Sequence, residues 1–307
     1  MGNNETSVTR RHRIFQISIW TGECGLKKLI VTGDDFGLSI SINDAVIKSF
    51  TKGILTTTSL MVAAPAADHA IENAKKFPKL NVGLHLVLSN GIAELPASEI
   101  PNLVNNAGEF QINKFYSGIN FFFNIKARRQ LKREIRAQFE AYKKTGLKLD
   151  HVNAHNHMHL HPTVFNLIIE IGRDYDLTAI RIPNEPPLNS IIDNKKEFVV
   201  RHLRWIFFML FTLSMKKKCI KNNINFNDTI YGLHDSGHMN IEKLIRIIPH
   251  ITNGITEIYT HPATKNNHSG DSESHKYEFE AEYKALIHAR TKRTIDKFNV
   301  ELSSFNS

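Results

Sequence analysis

Short segments rich in β-branched residues alternate with segments of helical periodicity, and this alternation constrains the fold more than any other feature. Strands are predicted at 28–32, 56–62, 81–87, 149–154, 178–182, 229–233 and 256–260. Helices are predicted at 41–50, 66–77, 128–145, 163–175, 241–251 and 277–298. Strands that alternate with helices form parallel sheets, so the pattern predicts an α/β fold.

The length of 307 residues is enough for one large α/β barrel or two modest domains. No shift in composition marks a domain boundary. We therefore predict one domain over 27–307, preceded by an N-terminal extension over 1–26 and carrying a loop-rich insert around 184–228.

Ionisable residues stand at the same end of five predicted strands. They are Asp34 and Asp35, His85, His155, Arg181 and His261. The carboxyl ends of parallel strands meet at one edge of a sheet, where binding and catalytic residues of such folds collect. The sequence therefore predicts a polar site at this edge.

A run of histidines strengthens this prediction. Five of the sixteen histidines lie between 151 and 161, at every second position except 153, which is Asn153. In extended backbone these side chains would share one face. Such a face is unfavourable unless it meets metal, carboxylates or water. A soluble His-rich loop or an adventitious metal site is the alternative, and spacing alone selects no single imidazole.

The adjacent carboxylates of Asp34 and Asp35 repel each other, so they need a cation or a division of labour. Alone, the pair is typical of a turn. Together with His85 and His155, it indicates a site in which one carboxylate binds a divalent metal and Asp34 accepts a proton from water. His261 is equally a general acid or a structural hydrogen-bonding group.

Several segments resemble the YdjC-type carbohydrate deacetylases, also called the chitooligosaccharide deacetylase family. They read LIVTGDDFG, VGLHL, DHVNAHNHMHLHP, AIRIP and TEIYTHPA, and span about 28–265. The stretches SLMVAAPAADHA, RRQLKREIRAQFEAYKKTGLKLDHVNAH and HLHPTVFNLIIEIGRDY resemble the hopanoid-biosynthesis-associated branch of that family. Together these motifs are specific, whereas any one alone is not.

The resemblance implies a distorted (β/α) barrel of the polysaccharide-deacetylase type. It implies a divalent metal ion, such as Mg or Zn, held by Asp35, His85 and His155. It makes Asp34 the catalytic base and places Arg181 and His261 near the active site. The implied substrate is an acetylated amino sugar, N-acetylglucosaminyl hopanoid in the branch.

Some positions depart from the family or have no role in it. Asn153 stands where the wider family often has an acid, which affects how the metal or its surroundings are held. The resemblance assigns no role to His157, His159, His234 or His238. Residues 1–26 lie outside the match.

The net charge of +9 calls for a partner or a solvated basic surface. No nucleic-acid motif is present, so we predict no nucleic-acid partner. The apolar run 205–215 has eleven residues, fewer than the roughly 20 that span a bilayer. With its basic flanks, 204–218 is either a peripheral membrane contact or a buried helix.

Two cysteines, Cys24 and Cys219, indicate no disulfide framework, so we predict a cytoplasmic protein, either free or peripheral on the inner face of the membrane. A homodimer is compatible with the sequence. Two alternative functions remain. A non-haem Fe(II) oxygenase uses the same two histidines and one carboxylate, and a metal-storing or lipid-binding protein would perform no turnover.

Overall fold

The computed structural model describes residues 26–110, 124–188, 192, 195–265 and 276–307. The predicted extension 1–26 therefore lies outside the described residues, except for Leu26. Parts of the predicted insert, 189–191 and 193–194, also lie outside them, as does Cys24.

Seven parallel strands form one sheet in the described part of the chain. They are β1 (Lys27–Phe36), β2 (Thr57–Leu60), β3 (Asn81–Leu86), β4 (Leu149–Ala154), β5 (Thr229–Tyr231), β6 (Gly254–Thr260) and β7 (Glu301–Leu302). The order is β4-β3-β2-β1-β6-β5, and β7 pairs with the start of β1. Both faces of β1 are buried, which explains its continuous apolar run rather than an alternating one.

Helices connect these strands and cover the sheet. They are α1 (Ile40–Lys52), α2 (Ala67–Lys76), α3 (Ile125–Lys144), α4 (Pro162–Gly172), α5 (Lys195–Lys221), α6 (Ile241–Ile247), α7 (Phe279–Ile287) and α8 (Ala289–Lys297). The Ser39 side chain caps α1 by accepting from the Ile42 N–H, and Asn124 caps α3 in the same way. Leu131, Ile135 and Phe139 of α3 are buried as their helical spacing predicts.

The sheet curls because its two outer strands are linked through the segment 178–184. The Val152 N–H of β4 donates to Ala179 O, and the Ile180 N–H donates to Asn225 O. Further along, the Ile230 N–H of β5 donates to Asn184 O. The result is a curled half-barrel with flanking helices. The predicted α/β class and distorted barrel are confirmed.

Three local expectations differ from the structure. The segment 178–182 makes isolated bridges rather than a regular strand, with Ile180 paired to Val152 on one side and Ala179 paired to Asn225 on the other. The last helix is broken at His288, where extended backbone separates α7 from α8. Most of the described part of 184–228, predicted to be loop-rich, is the 27-residue helix α5.

Helix α5 extends over 27 residues, well beyond the eleven-residue apolar run 205–215. By length and composition alone, Lys196–Lys221 is the one helix among the described residues that is apolar enough to cross a membrane. One face packs on the barrel through Thr212, Met215 and Cys219. The other face is not covered by the described residues, so the predicted buried helix describes only the inner side of α5.

Candidate active site

The carboxyl end of β1 brings two consecutive carboxylates into one site. Asp34 and Asp35 are both buried, although successive residues of a regular strand point to opposite faces. The pairing of β1 with β2 shifts register between Gly33 and Phe36, and Asp35 has a left-handed backbone with φ of 63°. Aspartate tolerates this conformation better than most residues. The irregular strand end therefore keeps both side chains buried at the same edge of the sheet.

Asp35, His85 and His155 bring one oxygen and two nitrogen atoms together. Asp35 Oδ1 is 3.2 Å from His85 Nε2 and 3.1 Å from His155 Nδ1. One ligand atom from each residue lies within 4.8 Å of the other two. The three predicted metal ligands thus lie where they could share one ion.

The donor atoms of this group fit a divalent cation. His85 Nε2 is buried and makes no hydrogen bond to any described residue, since its contact with Asp35 lacks hydrogen-bond geometry. A buried polar atom without a partner is unfavourable, and a cation would satisfy it. Two imidazole nitrogens and one carboxylate oxygen suit Zn²⁺ and other first-row divalent ions, and leave coordination positions open.

Neighbouring strands orient His85. Its Nδ1 is 2.6 Å from Asn153 Oδ1 and 3.0 Å from Ser59 Oγ. When Nδ1–H donates to Asn153, the Nε2 lone pair faces Asp35. Burial alone would lower the pKa of His85, but the charge of Asp34 and the contacts with Asp35 outweigh it and raise this pKa above 6.5. Asn153 thus takes the position of a hydrogen-bonding partner behind a candidate metal-binding histidine.

Asp34 is held by a different set of groups. Arg181 Nη1 donates to Asp34 Oδ2 at 2.6 Å, and Nη2 donates to Oδ1 at 3.0 Å. Ser59 Oγ and Asn153 Nδ2 also donate to Oδ1. Burial alone would raise the pKa of Asp34, but the charge of Arg181 dominates and holds it well below its usual range. Asp34 is therefore ionised at neutral pH.

Arg181 lies between two acids. Its Nε donates to both carboxylate oxygens of Glu257, at 3.0 and 3.1 Å, and Thr32 Oγ1 donates to Glu257 Oε1 at 2.6 Å. Arg181 and Glu257 have no exposed surface. Because the carboxylates of Asp34, Asp35 and Glu257 outnumber the single guanidinium, the site favours an added positive charge.

Replacing Arg181 by Met should destabilise the fold by about 3–5 kcal/mol, because two buried carboxylates would lose their shared counter-charge. Urea unfolding followed by circular dichroism measures this loss. The matched control is Arg136→Met, since Arg136 pairs with Asp174 on the surface at 2.9 Å. The control should lose less than about 1 kcal/mol. Equal losses in both variants would contradict a structural role for the buried pair.

The histidine run follows strand geometry only as far as Ala154. Residues His155–Leu160 form a short 3-10 helix, and Asn156 and His157 have φ of 56° and 54°. The expected alternation of faces is therefore wrong beyond β4, because the backbone turns through two left-handed residues. This kink separates the environment of His155 from those of the histidines that follow.

The other histidines of the run differ in their surroundings. His151 Nδ1 contacts Asp150 Oδ2 at 3.0 Å, and its ring stacks on Phe305. His157 Nε2 is 3.1 Å from the Tyr259 hydroxyl, and burial holds its pKa well below 6.5. Burial also lowers the pKa of His159 to about 3. His157 and His159 are therefore neutral at physiological pH.

His261 follows β6 at the same edge of the sheet. Because Gly33 of β1 pairs with Thr260 of β6, His261 follows its strand at the same level as Asp34 and Asp35 follow Gly33. Its backbone N–H donates to Glu282 Oε2 at 2.5 Å, while its Nδ1 is buried without a hydrogen-bond partner among the described residues. The imidazole lies close enough to Asp34 and Asp35 to contribute to the lowering of both carboxyl pKa values. A titratable ring nitrogen is therefore available beside the carboxylates.

Sequence reasoning missed two members of the site, Ser59 and Glu257. Glu257 could have been predicted, because an acid in the middle of the apolar strand Gly254–Thr260 needs a buried partner. Ser59 could not have been predicted from the sequence, since small hydroxyl residues are common in strands. Both side chains contact predicted residues, Ser59 at Asp34 and Glu257 at Arg181.

A cleft of about 350 Å³ opens between the first turns of α5 and the loop after β5. Lys196, Arg204 and His234 line it. Behind it, the buried Glu185 accepts from the Leu233 and His234 N–H groups, and burial raises the pKa of Glu185 to about 8. Since β5 ends at Tyr231, the N-terminal turns of α5 lie near the site edge of the barrel.

The curled parallel sheet, with an Asp–His–His group at its carboxyl edge, defines an α/β protein with a candidate catalytic metal site. The chain belongs to the YdjC-like protein family, which matches residues 28–297. The resemblance seen in the motifs is thereby confirmed at the level of the family.

Curated relatives cover nearly the whole chain. A carbohydrate deacetylase of Brevibacillus brevis is 28% identical over 284 residues, which are 91% of this chain and 98% of that protein. One from Clostridium beijerinckii is 28% identical over 281 residues, with the same shares. One from Geobacillus stearothermophilus is 38% identical over 149 residues, 48% of this chain and 57% of that protein.

A solved structure shares the fold. A protein of Enterococcus faecalis V583, described as a candidate cellobiose-phosphate cleavage protein, superposes with a TM-score of 0.66. It is 21% identical, and the match covers 92% of this chain and 98% of that one. This similarity supports the fold of the chain alone.

Proposed function

We propose that this chain is a metal-dependent hydrolase that removes the N-acetyl group from an acetylated amino sugar. The observation that carries the proposal is the grouping of Asp35, His85 and His155 beside an ionised Asp34. The relatives named carbohydrate deacetylases support the substrate class. A Fe(II) oxygenase would use the same three ligands, but it has no need of a fourth residue, Asp34, held ionised next to them.

In this proposal Asp35, His85 and His155 hold the metal, and Zn²⁺ or Mg²⁺ would suit the reaction. When bound, such an ion lowers the pKa of a water molecule and polarises a carbonyl oxygen. Asp34 would accept a proton from the water that attacks the acetyl carbon. Arg181 acts through Asp34, since its bidentate contact fixes the carboxylate and keeps it ionised.

His261 is proposed to protonate the departing amine. Amide cleavage needs this proton, because a free amide anion is too basic to leave. The Nδ1 atom of His261 is buried and is not engaged by another described residue. Its ring lies 5.4 Å from that of Tyr259 and 5.1 Å from that of Tyr277, which hold it at the site edge.

The finer proposal is that the substrate is an N-acetylglucosaminyl hopanoid lipid and that the enzyme acts in the cytoplasm. It is supported by the motifs that resemble the hopanoid-associated branch, in particular the segments over 59–70 and 159–175. Soluble chitooligosaccharides are the competing substrates.

Acetate release tests the function directly. The metal-loaded protein is incubated with acetylated amino-sugar lipids and, in parallel, with soluble chitooligosaccharides. We expect acetate to be released with one free amine per turnover. No release from any acetylated amino sugar by the metal-loaded protein would contradict the proposal, and oxygen consumption with a keto-acid would favour the oxygenase.

A further inference from the structure

The outward face of α5 carries most of the exposed apolar surface of the described residues. Of the fourteen large hydrophobic side chains that are exposed there, nine belong to this helix. Leu210, Phe207 and Leu203 are 71%, 64% and 62% exposed. These three are spaced by three or four residues, so they share one side of the helix. Exposed apolar surface of this extent marks an interaction site.

The inner face of the same helix is fixed to the barrel. Arg201 Nη1 donates to Asp235 Oδ2 at 2.7 Å, Trp205 Nε1 donates to Asn184 Oδ1, and Lys216 Nζ donates to Asp228 O. Met215 and Cys219 are buried below these contacts. The helix is therefore seated against the protein, and only its outward side is free to meet a partner.

The positive charge of α5 indicates which kind of partner its outward face would bind. Its sequence contains eight Lys or Arg residues and one acid, Glu197, and Glu197 is paired with Arg201. On the outward face, Lys196 precedes the apolar side chains, Lys217 and Lys221 follow them, and all three lysines are exposed. Lys196 and Lys217 are about 30 Å apart along the helix. An apolar stripe with cations at both ends complements a surface that has an apolar interior and an anionic outer layer.

A second copy of the chain fits this face poorly. Two copies of the helix that cover the whole length of this stripe must align nearly parallel or nearly antiparallel. The parallel arrangement sets Lys196 beside its own copy, and the antiparallel one sets Lys196 beside Lys217. Either arrangement juxtaposes like charges with no acid on the face to compensate.

A spanning orientation also conflicts with the contacts of the helix. Arg201 and Lys216 are held by polar groups of the barrel. The uncharged segment between Arg204 and Lys216 has eleven residues, whereas a span needs about 20.

We propose that the outward face of α5 docks the protein on the surface of an anionic lipid bilayer. Leu203, Phe207 and Leu210 enter the boundary between headgroups and acyl chains, and the lysines at both ends contact lipid phosphates. This inference goes beyond the proposed function and does not depend on it, because docking requires neither the metal site nor a lipid substrate.

Vesicle sedimentation of the full chain tests the docking. The protein should sediment with vesicles of equimolar phosphatidylglycerol and phosphatidylcholine, and much less with pure phosphatidylcholine. The variant Leu203→Gln/Phe207→Gln/Leu210→Gln should bind at least about tenfold more weakly, because it removes three inserted side chains while keeping good helix formers. Lys217→Gln/Lys221→Gln should weaken binding about 30-fold at low salt.

The matched control, Leu26→Gln/Ile125→Gln/Leu302→Gln, removes exposed apolar side chains elsewhere and should sediment as the wild type does. All variants should retain the unfolding midpoint and release acetate from a soluble substrate at the wild-type rate, which separates docking from catalysis. Equal binding by the α5 variant and the control would overturn the proposal. It would also fall if the face proved to be a dimer contact in sedimentation equilibrium, or if the protein resisted carbonate extraction as a spanning helix does.

Discussion

Replacing Asp34 by Asn should lower kcat for deacetylation by about 10²–10⁴-fold, the range that a positioned general base contributes. The side chain keeps its shape, and Asp35, His85 and His155 are untouched, so bound metal should remain near the wild-type amount. KM should change little, because the lost interaction operates in the transition state. Kinetics of acetate release and metal analysis of the same sample measure both effects.

The control for this substitution is Asp44→Asn, a partly exposed acid on α1 that pairs loosely with Lys48. It should keep full activity. The variant Asp34→Asn must also remain folded, and it should, because Arg181 keeps its bonds to Glu257. Unchanged turnover in the Asp34 variant would remove this residue from the role of base. Turnover lost together with the metal would instead make Asp34 part of the metal site.

The alternation of strands and helices could be predicted from the sequence, because the burial of each element determines its pattern of apolar residues. β4 begins and ends where the sequence predicted, at Leu149 and Ala154, and every residue after Leu149 is buried between the helices and the barrel interior. Asp34, His85 and His155 were found for a related reason. They stand at strand ends, and topology brings strand ends together whatever the loops between them do.

The site's internal contacts were less predictable, because they join residues far apart in the chain. Sequence position put Arg181 at the correct edge, but not between Asp34 and Glu257, which lie 147 and 76 positions away. The kink at Asn156 and His157 was also missed. Left-handed backbone at non-glycine residues depends on the tertiary surroundings more than on local preference.

Helix α5 shows a third limit of sequence reasoning. A helix that buries one face in its own fold normally has a polar opposite face, and α5, which lies in the segment 184–228 predicted to be loop-rich, does not. The rule fails here because both faces contain apolar residues, with Met215 buried and Leu210 exposed. Amphipathicity was therefore no guide to the presence of this helix.

Replacing His85 or His155 by Ala should remove metal and activity together. The partners behind a metal-binding histidine are typically worth about 10–100-fold in metal affinity or activity, so loss of a direct ligand should exceed about 100-fold in the dissociation constant. Calorimetric Zn²⁺ titration and acetate release, measured on the same preparations, follow the two quantities. Activity should fall in proportion to the metal lost at limiting Zn²⁺.

His250→Ala is the matched control, because His250 is an exposed histidine on a short turn after α6. It should keep both metal and turnover. The two ligand variants should also differ in stability. His85 is almost fully buried and contacts Asn153 and Ser59, so its loss leaves a cavity and unpaired polar groups. His155 is more exposed and should cost less. Wild-type metal affinity in either folded variant would exclude that histidine from the ligand set. Wild-type affinity in both variants would contradict the proposed hydrolysis, because Asp35 would then bind the metal without either histidine.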